Sequence, residues 1–258
     1  MPLPARRQLP LALLMNAKLV AENQSAALRE STLLKNAASI NAPVLSLANA
    51  ELAYEGRVVL KNISLSIAPG ERVALVGKSG VGKSTLLAAL RDQQSNSVAW
   101  CPQQHGLVPM LSVYHNIYMG GLHRHNALYN LLNLIKPLSR PLHEVTNLAK
   151  PLQLGKFLFD RVEQLSGGQS QRVAIGRALY QQKNIFLGDE PVSAVDDYQA
   201  QQLLALIAEK HETLVLALHD VEQALHFCDR IIGLKNSAIV LDAPCSALKA
   251  NDLAELYT

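Results

Sequence analysis

The chain has 258 residues, 49% of them hydrophobic, which is enough to bury a substantial core in one large α/β domain. Its 24 basic and 21 acidic residues leave a net charge of +3 with no Lys/Arg block, which excludes the electrostatic footprint of a protein that wraps nucleic acid. No apolar stretch approaches the roughly 20 residues a membrane-crossing helix needs, and three scattered cysteines, Cys101, Cys228 and Cys245, fit neither a disulfide framework nor a metal spacing.

In chain order, Arg6 and Arg7 precede an apolar run from Leu9 to Met15 with the outline of a secretory signal, but Asn16 and Lys18 interrupt it. Residues 1–42, with scattered Asn, Ser and Ala, read as a flexible extension ahead of a domain spanning 43–258. From Val44 the pattern becomes short β-rich runs, VLSLAN, RVVL and ISLSI, then a turn at Ala68-Pro69-Gly70 and the apolar strand RVALVG. A helix, STLLAALRD, and a strand, VAWC, follow. Ser112 to Arg161 is mostly helical, broken by Pro137, Pro141 and Pro151, and reads as an inserted helical lobe over about 104–164. From Gly168 helices alternate with strands: GQSQRVAIGRALYQQ, NIFLGD, DYQAQQLLALIAEK, TLVLAL, DVEQALHFC, IIGL, AIVLD and a last helix. That alternation predicts a mostly parallel sheet covered on both faces.

Two motifs carry phosphate chemistry. GKSGVGKST, Gly77 to Thr85, fits G-x-x-x-x-G-K-[ST] and lies between a strand and a helix, where such a loop must lie. Gly77, Gly80 and Gly82 let the backbone N–H groups of the loop, with Lys78 and Ser79, converge on phosphate oxygens. Lys83 reaches the β- and γ-phosphates, Ser84 can hold Mg²⁺, and Thr85 follows in the helix. Downstream, the apolar strand NIFLGDE delivers Asp189 to the metal and sets Glu190 beside the γ-phosphate as candidate general base. An Asp-Glu pair after an apolar strand is ordinarily a strand end; a P-loop in the same chain changes that reading. The two motifs define a nucleotide phosphohydrolase or phosphotransferase without deciding which.

A third motif decides. LSGGQSQR, Leu165 to Arg172, sets Ser166, Gly167, Gly168 and Gln169 at the start of a helix, a second anion-binding terminus. With LSGGQ unsubstituted, the sequence resembles the ABC ATPase family over about residues 44–258. That resemblance implies a P-loop core with an antiparallel β lobe and a helical lobe, ATP and Mg²⁺ as ligands, and two subunits sandwiching two nucleotides, the signature of one facing the P-loop of the other. It also implies roles: Tyr54 stacks on adenine; Gln103, with Gln104 beside it, touches the metal; Ser193 to Asp196 (SAVD) forms the dimer loop, Asp196 included; and His219 contacts the γ-phosphate. The segment between Lys83 and Gln103 is shorter than in the family, so the β lobe is expected to be shortened. Gly188, where a side chain is more usual, is expected to allow close backbone approach.

The tail from Ala224 to Thr258 and the block LVPMLSVYHNIYMGGL are most similar to ATPase subunits of phosphonate importers. The expected partners are a second ATPase subunit, transmembrane permease subunits and a substrate-binding protein, with no nucleic acid, and the expected location is the cytoplasmic side of the cell membrane. A lipoprotein-releasing or export ATPase, or a soluble ABC ATPase outside transport, is the alternative. A metabolite kinase would leave LSGGQ and His219 unexplained.

Overall fold

The computed structural model describes residues 42–257; the expected extension over 1–42 lies, apart from Ala42, outside them. Two antiparallel strands, β1 (Leu45–Tyr54) and β2 (Arg57–Ile67), form a sheet of their own. The runs RVVL and ISLSI, read separately in the sequence, are one strand with a bulge. Asn62 takes a left-handed φ of 52°, which absorbs one residue and keeps Leu60 and Ile63 on the same buried face although they are three apart. Ser64 ties the matching irregularity in β1, accepting from the Asn49 N–H at 2.9 Å and donating to its side-chain oxygen at 3.1 Å.

The main sheet has six strands in the order β4-β5-β6-β3-β7-β8: β3 (Arg72–Val76), β4 (Val98–Cys101), β5 (Ile185–Asp189), β6 (Thr213–Ala217), β7 (Arg230–Lys235) and β8 (Ala238–Pro244). All pair in parallel except β7 with β8. Side chains alternate between two cores. Val73, Leu75, Leu187 and Val215 face β1, β2 and helix α1 (Lys83–Gln93); Ala74, Val76, Phe186 and Leu216 face the other helices. A strand covered on both sides can be apolar throughout, and each Val or Leu so buried contributes about 1.5–3 kcal/mol. Arg230 joins the two sheets: it forms a double contact to Asp242, bonds Glu71 at 3.0 Å and donates to the Ser66 carbonyl at 3.0 Å.

Between β4 and β5 lie α2 (Val113–Tyr118), α3 (Ala127–Ile135), α4 (Ser139–Ala149) and α5 (Gly167–Leu179); α6 (Asp197–Lys210) and α7 (Val221–Phe227) follow β5 and β6. Pro141 does not break the helical block as the sequence reading expects. It stands in the first turn of α4, where a backbone N–H has no partner within the helix. Helix α5 ends at Leu179, short of the expected Gln182, and the last element, Ala250–Tyr257, is 3₁₀ rather than α. Cys101 and Cys228 are buried free thiols; burial pushes Cys101 up to about 12, so it stays protonated and inert.

Candidate nucleotide site

β3 is fully buried along Val73–Val76, and at Gly77 the loop to α1 begins. A side chain there is barred twice, by a φ of 139° and by the Leu234 carbonyl oxygen, 2.4 Å from where a Cβ would stand. Gly77→Ala is therefore expected to cost about 2 kcal/mol or more of stability. A urea midpoint equal to that of the native chain would show instead that the loop relaxes freely. Gly82 caps α1 in the left-handed region at φ 114°, with Leu60 and Val59 packed where its Cβ would go. These constraints leave the loop's N–H groups and the start of α1 pointing at one space, the arrangement that binds phosphate.

Lys83, 5% exposed, folds back over the loop and donates to the carbonyls of Gly77 at 2.6 Å and Lys78 at 3.1 Å. Burial pulls its pKa down, while the carboxylates of Glu190 and Asp189 oppose that shift. Asp189 ends β5 opposite Lys83. Its carboxyl is pushed up by burial, with the bonded Ser84 hydroxyl acting the other way and Glu190 adding to the rise. Its Oδ1 is buried without a hydrogen-bond partner. A buried carboxylate oxygen left unpaired beside a hydroxyl is the donor set a hard divalent cation takes.

Glu190 follows immediately, held at a left-handed φ of 54°. For a non-glycine residue that conformation is sparsely populated and persists only where surroundings fix it. Here three bonds do so: the Glu190 N–H donates to Ala217 at 3.1 Å, and its carbonyl accepts from Gln171 at 2.9 Å and from the Ser193 hydroxyl at 3.1 Å. The side chain is gripped in turn by His219, whose Nε2 donates to Oε1 at 2.5 Å.

A cleft of about 420 Å³ gathers Tyr54, Ser79, Gly80, Gly82, Lys83, Ser84, Thr85, Gln103 and Glu190. Tyr54 ends β1 with its side chain 63% exposed at the edge of that cleft. Gln103, and not its neighbour Gln104, borders it. His219 lines an adjoining hollow of about 260 Å³ on the other side of Glu190, together with Ser193 and Val195. Ser166, Gly167, Gly168 and Gln169 do not line the cleft. They begin α5, closed by a reciprocal cap in which the Gln169 N–H donates to the Ser166 hydroxyl at 3.3 Å and the Ser166 N–H to the Gln169 side chain at 2.8 Å. Gly168 lies against the backbone of the loop Ser193 to Asp196, its Cβ position 2.9 Å from the Ala194 carbonyl oxygen. Asp196 caps α6, accepting from the Gln199 N–H at 2.9 Å.

One expectation needs correction. The tight approach at Gly188 is made by the side chains of Phe186, Leu216 and Pro191, within 2.8–3.0 Å of a Cβ, and not by backbone. Sequence reasoning also missed two residues. Gln171, 1% exposed, donates to the Glu190 carbonyl and accepts from the Ala194 N–H at 2.8 Å, so it joins α5 to Glu190 and to the loop Ser193 to Asp196. Its position in LSGGQSQR, on the turn after Gly167, was the available signal. Arg177, on the same helix, bonds the carbonyls of His105 and Gly106 and anchors the segment that follows Gln103.

A strand-loop-helix cradle with its lysine, facing a strand-end Asp-Glu pair across a parallel sheet, defines a P-loop nucleoside triphosphatase. A family model described as ABC transporter matches residues 60–96 and 90–193. The phosphonates import ATP-binding protein PhnC of Caulobacter vibrioides is 33% identical over 253 residues, covering 83% of this chain and 93% of that one. PhnC 1 of Pseudomonas syringae pv. tomato is 38% identical over 231 residues, covering 78% and 86%. PhnC of Anaeromyxobacter dehalogenans is 35% identical, and the match spans 48% of its length. Among solved structures, a dimeric bacterial ABC transporter cassette superposes with a TM-score of 0.67 at 26% identity, covering 78% of this chain and 99% of that one. A nucleotide-free cassette from an ABC transporter shares the fold at a TM-score of 0.68 and 18% identity. The chain belongs to the ABC transporter family. It is an ATP-binding cassette that hydrolyses ATP to drive transport, with the fold the sequence implied.

Proposed function

We propose that the chain powers import of a phosphonate or closely similar small oxyanion, as one of two ATPase subunits on a membrane permease supplied by a substrate-binding protein. The observation that carries this reading is the set of relatives named as phosphonate importers, matched over most of their own length. Among the described residues no helix is long and apolar enough to cross a membrane.

In this reading ATP lies in the cleft with its adenine against Tyr54, whose stacking contributes about 1–3 kcal/mol, and its phosphates on the loop from Gly77 to Thr85. Lys83 exchanges its carbonyl partners for phosphate oxygens. Asp189 and Ser84 hold Mg²⁺, with Gln103 beside it, and the ion supplies positive charge against the phosphoryl oxygens. Glu190 takes the proton of the attacking water, and His219 fixes the Glu190 carboxylate for that task and reaches the γ-phosphate. Ser166 to Gln169 and Asp196 act on the nucleotide of a second copy. When hydrolysis removes the γ-phosphate the halves part, and Arg177 transmits the movement to the segment after Gln103 that faces the permease.

The test is reconstitution. The chain would be purified with its membrane partners in mild detergent and returned to liposomes, and ATP turnover measured with and without the binding protein and a simple alkylphosphonate. Stimulation only when both are present is the expected result. Recovery of ribosomes or DNA-repair proteins in place of a permease, or stimulation by an unrelated solute alone, would overturn the assignment while leaving the ATPase intact.

A further inference from the structure

Helix α3 is turned inside out. Its polar residues face the protein: Asn130 accepts from the Tyr118 hydroxyl at 2.7 Å and donates to the carbonyls of Leu122 and His125 at 2.9 and 3.2 Å. Asn133, fully buried, accepts from the Tyr114 hydroxyl at 2.8 Å and from the Leu138 N–H at 2.8 Å. Its apolar residues face outward. Leu128, Leu131, Leu132 and Ile135, spaced i, i+3, i+4, i+7, are 67, 53, 50 and 77% exposed. A helix on the surface of a water-soluble domain ordinarily shows the reverse pattern. The asparagine bonds fix the orientation, since rolling α3 to bury its leucines would strip two buried tyrosine hydroxyls of their partners.

No aspartate or glutamate occurs between Asp92 and Glu144. Glu144 answers Arg124 at 3.4 Å and Arg140 at 3.1 Å. Lys136, at the end of α3, has no carboxylate partner among the described residues. An apolar stripe on a helix without acidic residues, ended by an unpaired lysine, is complementary to a surface that is at once apolar and anionic, and a bilayer with acidic headgroups presents both together.

We propose that the outer face of α3 lies on the anionic lipid surface next to the transporter, a contact made by this chain itself and additional to any permease contact. The test is sedimentation of the full-length chain with vesicles of phosphatidylcholine alone or mixed with phosphatidylglycerol, for the native sequence and for Leu128→Gln/Leu131→Gln/Leu132→Gln/Ile135→Gln. All four positions are exposed, so the variant is expected to keep the native unfolding midpoint and ATP turnover in detergent. A second variant, Leu131→Gln/Ile135→Gln, serves should the first fail to fold. Native chain should partition onto anionic vesicles about tenfold better than onto neutral ones, and the substitutions should remove about tenfold of that binding. The proposal is overturned if the native chain ignores anionic vesicles, or if the variant binds them equally well, which would place the contact elsewhere in the chain. It is likewise overturned if the variant loses its permease during purification while vesicle binding is unchanged, which would make the occupant of this face a protein. Because ATP turnover is read separately, failure here leaves the transport reading untouched.

Discussion

Glu190→Gln is expected to bind ATP with near-native affinity and to hydrolyse it at least about 100-fold more slowly. The exchange keeps the size of the side chain and an acceptor oxygen for His219 Nε2, so the 2.5 Å contact has a replacement, but it removes the group that takes the proton. It also leaves the backbone strain in place, because the left-handed φ of 54° is held by Ala217, Gln171 and Ser193 and not by the carboxylate. With hydrolysis blocked and binding intact, the variant should accumulate as a nucleotide-bound dimer. Size-exclusion chromatography with ATP, alongside a phosphate-release assay, reads both effects. Turnover within a few-fold of native would remove Glu190 from the role of base and move attention to His219.

Lys83→Ala is expected to fail one step earlier. The ammonium is buried and bonded to two loop carbonyls, and burial already weakens its hold on the proton while Glu190 and Asp189 strengthen it. Removing it leaves those carbonyls unpaired and takes a buried ammonium from beside two carboxylates. Charge-assisted bonds to phosphate of this kind carry about 1.5–3 kcal/mol each. ATP affinity should therefore drop by about tenfold to a hundredfold, measured by calorimetry or by fluorescent-nucleotide displacement. Tight binding retained by the variant would mean that backbone N–H groups alone hold the phosphates.

Much of this was legible in the sequence for a physical reason. A loop that wraps phosphate needs glycine at the positions where Gly77 and Gly82 take positive φ, and it needs a strand before it and a helix after it, so its chemistry and its fold share one string of residues. The helices α6 and α7 were readable as the segments DYQAQQLLALIAEK and DVEQALHFC, and Asp196 and Asp220 cap them in the structure. Other features depend on contacts between distant segments. Nothing in RVVLKNISLSI reveals that Asn62 bulges to keep one strand continuous, since the alternative of two strands has the same apolar count. The position of Gln171 in LSGGQSQR places it on the signature helix, but its bond to the Glu190 carbonyl exists only because the strand end after β5 passes over α5. The orientation of α3 escaped for a related reason, as a period of apolar residues tells that a helix has two faces but not which one the protein keeps.

The short link through Gln171 has an energetic consequence for a pair of such subunits. Helix α5 is a single 13-residue rod with the signature at one end and, one turn in, a side chain clasping the backbone of the residue proposed to start hydrolysis. In the paired arrangement proposed above, nucleotide captured by one subunit's signature would shift the base belonging to that same subunit, whose own nucleotide sits on the opposite P-loop face. Linkage then works in both directions with equal free energy. Occupancy of either half would tune the readiness of the other, and two chemically separate hydrolysis sites would answer to ATP concentration as one cooperative unit.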